Sequence, residues 1–106
     1  IHVSRADSLY SLSEEVVKNG QYQDAIGYLE EILEGNDRTE KNEILFNYGM
    51  ARTHLEMSRD NLRERQKNRV AALDYFEKVI ELTDEDARFN SYRMKADSWA
   101  RYLGKK

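Results

Sequence analysis

The chain has no cysteine, no proline and only five glycines among its 106 residues. Without cysteine there is no disulfide, no thiolate metal site and no cysteine nucleophile. Compartment stays open, because reduced and disulfide-free exported proteins look alike here; the cytoplasm is favoured over an exported or membrane-tethered parent protein. Scarce glycine and absent proline weigh against a sheet protein, which needs turn residues roughly every 8–12 positions. No apolar run approaches the ~18 residues that cross a membrane, and no signal-peptide pattern is present. The first residue is Ile1 rather than methionine, which reads as a processed form or an excised domain. A large excess of either charge is missing too. Seventeen Lys and Arg face twenty Asp and Glu, for a net charge of -3. No global basic excess drives nonspecific nucleic-acid binding.

What is present is helical periodicity in a chain of single-domain length. Leu9, Leu12 and Val16 form a stripe within 4–19, and Asn19-Gly20 ends it. Ala25, Ile26, Leu29, Ile32 and Leu33 share one face of a second helix, 22–34, stopped by Gly35-Asn36-Asp37. The short connection at Gly20-Gln21 predicts antiparallel packing. A third helix begins near Glu40 with the stripe Ile44 or Leu45, Tyr48, Ala51 and Leu55. It has a second stripe, Phe46 and Met50, spaced by four. A helix apolar on two sides is surrounded on two sides or faces a ligand.

Residues 57–69 carry five basic and two acidic side chains. They read as a charged loop or as a partial helix extension, with Leu62 on the earlier stripe and a turn near 63–67; the extension is the reading adopted. A fourth helix, about 68–82, uses Ala72, Leu73, Phe76, Val79 and Ile80. Thr83 or Asp84 is the expected cap of a fifth helix, 87–103, bearing Phe89, Tyr92, Ala96, Trp99 and Leu103.

The segment "DAIGYLEEILE" (24–34) aligns with "AALDYFEKVIE" (71–81). Ala25 meets Ala72, Ile26 meets Leu73, Tyr28 meets Tyr75, Leu29 meets Phe76, Ile32 meets Val79 and Leu33 meets Ile80. The offset is 47 residues, within the ~20–50 residue range of helical solenoids. On these residues the chain resembles the tetratricopeptide repeat family, whose unit is a helical hairpin of about 34 residues. The resemblance implies an all-α, short solenoid of about five helices in one domain, 1–106. Unit one would span about 6–39 and unit two about 42–84, the latter with roughly eleven extra residues near 57–69. The 87–103 helix would be a third first-helix or a cap. Ser13 stands where the family has a glycine. The closing proline is missing; Asp37 and Asp84 fall there. Ala25, Gly49 and Ala72 would allow close helix crossings, and Tyr22 would pack across the first hairpin turn.

Signals for chemistry are few. His2 is terminal, and neither histidine has metal spacing. His54 reads as a ligand, a general base, or a polar residue at the edge of a groove; the last is adopted. Glu14-Glu15, Glu30-Glu31 and Asp84-Glu85-Asp86 are adjacent in sequence, so their side chains diverge on a helix. No glycine-rich loop precedes a helix, leaving phosphate cradling unsupported. The expectation is no enzyme, no metal, no cofactor and no small-molecule substrate.

The resemblance instead implies a scaffold or adaptor that takes a protein or peptide partner in a concave groove. Carried over by position, the groove would hold Tyr10, Glu14 and Val17, then Phe46, Asn47, Met50, Thr53 and His54, then Arg88, Ser91 and Lys95. The family subtype that grips a C-terminal carboxylate uses Lys, Asn and Arg. Here Asn47 matches, Arg88 matches in charge, and Glu14 would repel the ligand. Phe46 and Met50 also read as packing on neighbouring helices. Arg59, Arg63, Arg65, Lys67 and Arg69 read as a site for an acidic partner or nucleic acid, or as a solvated tip; the tip is adopted and nucleic acid disfavoured, because the stretch lacks aromatic residues to stack bases. Trp99 and Tyr102 read as covering the stack's end, or as a patch for self-association through 87–103; the alternative to an adaptor is a structural segment of a longer solenoid or a self-associating domain.

Overall fold

Ser4 opens the first helix by accepting the Asp7 backbone N–H at 3.0 Å, and its hydroxyl donates to the Asp7 carboxylate at 2.8 Å. That satisfies an otherwise orphan donor and places an acid at the positive end of the helix. The computed structural model describes residues 4–34 and 38–104. Over these residues it holds five α-helices and no strand: α1 (Arg5–Lys18), α2 (Tyr22–Ile32), α3 (Glu40–Asp60), α4 (Arg65–Thr83) and α5 (Asn90–Gly104). A 3₁₀ turn, Ala87–Phe89, precedes α5. The stop expected at Gly35-Asn36-Asp37, the Asp37 position and His2 lie outside the described residues.

Gly20 ends α1 as its sequence predicts. Its φ of 75° is in the left-handed region, which costs glycine nothing sterically. The Gly20 N–H reaches Val17 O at 3.0 Å and the Gln21 N–H reaches Val16 O at 2.9 Å, closing the helix end and turning the chain. Arg5 near the start of α1 donates to Glu31 O near the end of α2 at 3.0 Å, so the pair is antiparallel.

The second hairpin is longer. α3 has 21 residues against 14 in α1, and α4 has 19 against 11 in α2. The extra residues of 57–69 therefore lengthen both arms, and the turn narrows to 61–64. Asn61 Oδ1 accepts the Glu64 N–H at 3.3 Å within it. Leu62 falls in this turn, 70 % exposed, and does not extend the stripe.

Each helix packs on its successor, α1 also packs on α3, and α3 touches α5. The two stripes of α3 are explained by this central place. Ile44, Tyr48, Ala51 and Leu55 join Ala72, Phe76, Val79 and Ala96 in one apolar cluster. Leu45 and Met50 join Ala6, Leu29 and Ile32 in another. Tyr10, Tyr75 and Tyr92 pack against both.

Two further expectations are corrected. Leu12 is 45 % exposed, and Ser13 is buried in its place. α1 stands at the end of the array and has neighbours on only part of its circumference, so a full apolar stripe has nothing to pack on. The cap after α4 is Asp86, whose carboxylate accepts the Arg88 N–H at 3.0 Å. Thr83 is instead buried within α4, with its hydroxyl donating to Val79 O at 2.8 Å. The other buried hydroxyls behave alike: Ser13 bonds Tyr10 O, Thr53 bonds Gly49 O and Ser58 bonds Leu55 O. Each satisfies its bond on its own helix.

Candidate functional site

α1 and α3 lie side by side but leave a groove of about 490 Å³ between them. Tyr10, Ser13, Glu14, Val17 and Lys18 form its α1 wall; Tyr48, Arg52, Thr53, Glu56 and Asp60 form its α3 wall. Gly20 and Tyr22 close one end. The α3 wall follows from helix geometry, since Tyr48, Arg52, Glu56 and Asp60 recur every four residues and lie in one row.

Tyr22 reaches beyond its own hairpin. Its hydroxyl donates to the Asp60 carboxylate at the far end of α3, tying the two hairpins together. Burial and this bond to a carboxylate push the Tyr22 hydroxyl up to about 12. Burial raises Tyr10 above the ordinary phenol value, and the nearby Glu14 charge adds to it. Burial also raises Tyr48, against the opposing pull of Arg52. All three phenols are therefore neutral at physiological pH, able to donate and accept hydrogen bonds. Glu56 sits between two guanidinium groups, Arg59 at 2.8 Å and Arg52 at 3.9 Å. Glu14 is exposed and makes no ion pair among the described residues. The groove thus combines apolar and phenolic walls with a mixed-charge rim.

The residues expected to share one groove are divided by the structure. Tyr10, Glu14, Val17 and Thr53 line it. Phe46, Asn47, Met50 and His54 do not. Phe46 meets Tyr75 of α4 edge to face at 6.2 Å, and Met50 is buried with Leu29 and Ile32 of α2. Asn47 is buried and donates to Glu43 O at 2.8 Å. His54 stacks on Tyr75 at 5.7 Å, and its Nδ1 is 3.1 Å from Asn68 Oδ1. Arg88 is held by Asp86 at 2.7 Å, and this pairing keeps the Asp86 carboxyl below the usual carboxylate value. Lys95 lies over the Tyr92 ring at 5.9 Å. Ser91 is exposed on α5.

Sequence reading missed Arg52, Glu56 and Asp60 as wall residues and assigned Tyr48 to the core alone. The four-residue spacing from Tyr48 to Asp60 was the available signal. It is a mixed row rather than an apolar one, so a search for apolar stripes passes over it. Among the described residues no group of three His, Cys, Asp or Glu is placed to hold a metal ion. No helix there is long and apolar enough to cross a membrane.

Comparison of the chain with protein-family models, with curated proteins and with solved structures gives no match.

Proposed function

We infer that the chain is a non-enzymatic interaction module of the tetratricopeptide type, and that it takes a peptide or helix in the groove between α1 and α3. The groove itself carries this reading: Tyr10 and Val17 offer apolar surface above the largely buried Tyr48, and unpaired Glu14 offers a charge at its edge. The 47-residue echo and the packing of each helix on its successor support the repeat part of the reading. The fitting ligand presents an apolar anchor next to a lysine or arginine, with the Tyr10 hydroxyl placed to bond its backbone.

Panning a random peptide display library tests this. Wild type is compared with a Glu14→Lys/Val17→Arg variant, both positions being outside the buried core. Enriched peptides are expected to carry an aromatic or aliphatic residue beside a basic one, and to lose binding to the variant. Failure to enrich any peptide, or equal binding by the variant, would sink the reading.

A second reading, self-association through α5, rests on Met94, which is 63 % exposed on that helix. It predicts a mass that rises with concentration in sedimentation and falls back in Met94→Lys.

A further inference from the structure

The basic stretch 57–69 contains no aromatic residue, but the fold supplies two from elsewhere. α5 packs along α4 and brings Trp99 and Tyr102 against the end of α3 and the start of α4. Arg52 and Arg59 lie over the Trp99 ring at 5.0 and 5.8 Å. Arg69 lies over Tyr102 at 5.5 Å. Trp99 is backed by Phe76, stacked at 6.2 Å, and meets Tyr102 edge to face at 5.9 Å. Tyr102 is 52 % exposed.

The charges at this end are unbalanced. Its acids are engaged: Glu56 with Arg59, Glu64 with Lys67 at 3.9 Å, Asp97 with Arg101 at 3.0 Å, and Asp60 with the Tyr22 hydroxyl. Arg63, Arg65 and Arg69 have no carboxylate partner among the described residues. α4 also starts here on Glu64, whose side chain makes no cap bond, and has no acid in its first turn. Arg65 and Lys67 occupy that turn, at the end of the dipole where positive charge is unfavourable. An anion placed there relieves both features.

We propose that this arginine–aromatic end binds single-stranded nucleic acid. The arginines take the phosphates, in the planar, forked geometry a guanidinium offers. Tyr102, beside Trp99, stacks an unpaired base. A duplex hides its base faces and gains nothing from that ring. An acidic peptide would use the arginines and leave the ring unused. The net charge of -3 does not oppose local binding, because charges beyond about 10 Å are screened at ordinary salt.

The test is fluorescence anisotropy of labelled oligo(U) and oligo(dT), each about 12 nucleotides long, a length within the usual single-strand site size. Trp99 is the chain's single tryptophan, so its emission reports on the site itself. Binding at low salt with quenching of Trp99 is expected. Arg63→Gln/Arg69→Gln should reduce the slope of log K against log salt by about 1.4, two phosphate contacts at ~0.7 each. Tyr102→Ala should weaken binding about fivefold or more. Arg63→Gln alone, on an exposed turn, covers the case in which the double variant fails to fold, and should reduce the slope by about 0.7. The proposal is overturned by no anisotropy change at low salt or by equal affinity for polyglutamate of matched length. It is also overturned if binding is left unchanged by Tyr102→Ala and Arg63→Gln.

Discussion

α2 and α4 carry the same pattern and solve different problems. Ala25 and Ala72, Leu29 and Phe76, and Ile32 and Val79 are each fully buried, pair by pair. Their surroundings differ. Leu29 lies where α3 has Gly49, and a Cβ at that glycine would overlap Leu29 Cδ2. Phe76 lies where its neighbours have rings: Tyr48 at 5.9 Å and Trp99 at 6.2 Å. One contact is made by removing a side chain, the other by filling with aromatic surface. A repeated pattern therefore determines which residues turn inward, while the facing residues set how closely the helices approach.

Substitutions can break or sharpen this contrast. Phe76→Ala should be the most damaging, at about 3–5 kcal/mol, since it empties the aromatic stack. Leu29→Ala should cost somewhat less, about 2–4 kcal/mol, because α2 and α3 are already close and can settle toward each other. Denaturant titration ranks the two, and equal or reversed losses would abolish the distinction. Gly49→Ala should destabilise by about 1–2 kcal/mol, because Leu29 is enclosed and its overlap with the new methyl outweighs the gain in helix propensity. Gly27, inside α2, has nothing within 4 Å of where a Cβ would stand. Gly27→Ala should therefore stabilise by about 0.5–1 kcal/mol. Thermal melts of the two glycine variants should move in opposite directions.

The smallest effect concerns the link between hairpins. Burial and the bond to Asp60 push the Tyr22 hydroxyl up to about 12 from an ordinary value of 10. The folded state thus holds the proton more tightly. Its stabilisation is complete below pH 10 and is lost as pH rises from 10 to 12. Tyr22→Phe should narrow the loss of denaturation midpoint over that window relative to wild type. Identical pH profiles would mean that the bond to Asp60 contributes nothing.

Helices were readable in the sequence where one apolar face repeats, as at Ala25–Leu33 and Ala72–Ile80, and where local chemistry fixes an end, as at Gly20. The reading faltered where tertiary position decides. Leu12 has the right spacing but no helix to meet. Thr83 and Asp84 are good capping residues, yet the chain stays helical through Thr83 and Asp86 takes the role. The groove was half legible. Its α1 wall came from a positional resemblance. Its α3 wall depends on which side of a two-faced helix meets α1, and Phe46 and Tyr48 are equally plausible on spacing alone. The pairing of Trp99 and Tyr102 with Arg52, Arg59 and Arg69 joins residues 33 to 47 positions apart, which no local pattern encodes.

The buried hydroxyls of Ser13, Thr53, Ser58 and Thr83 all bond within their own helices. The buried seams between helices consequently rely mainly on contacts that have no preferred direction. A small slide or tilt of one rod against the next breaks few bonds and trades one apolar contact for another. Stiffness resides in the rods and compliance in the apolar seams, while an exposed tie such as Lys41 of α3 to Asp7 of α1, at 3.2 Å, limits how far the gap between those two rods can open.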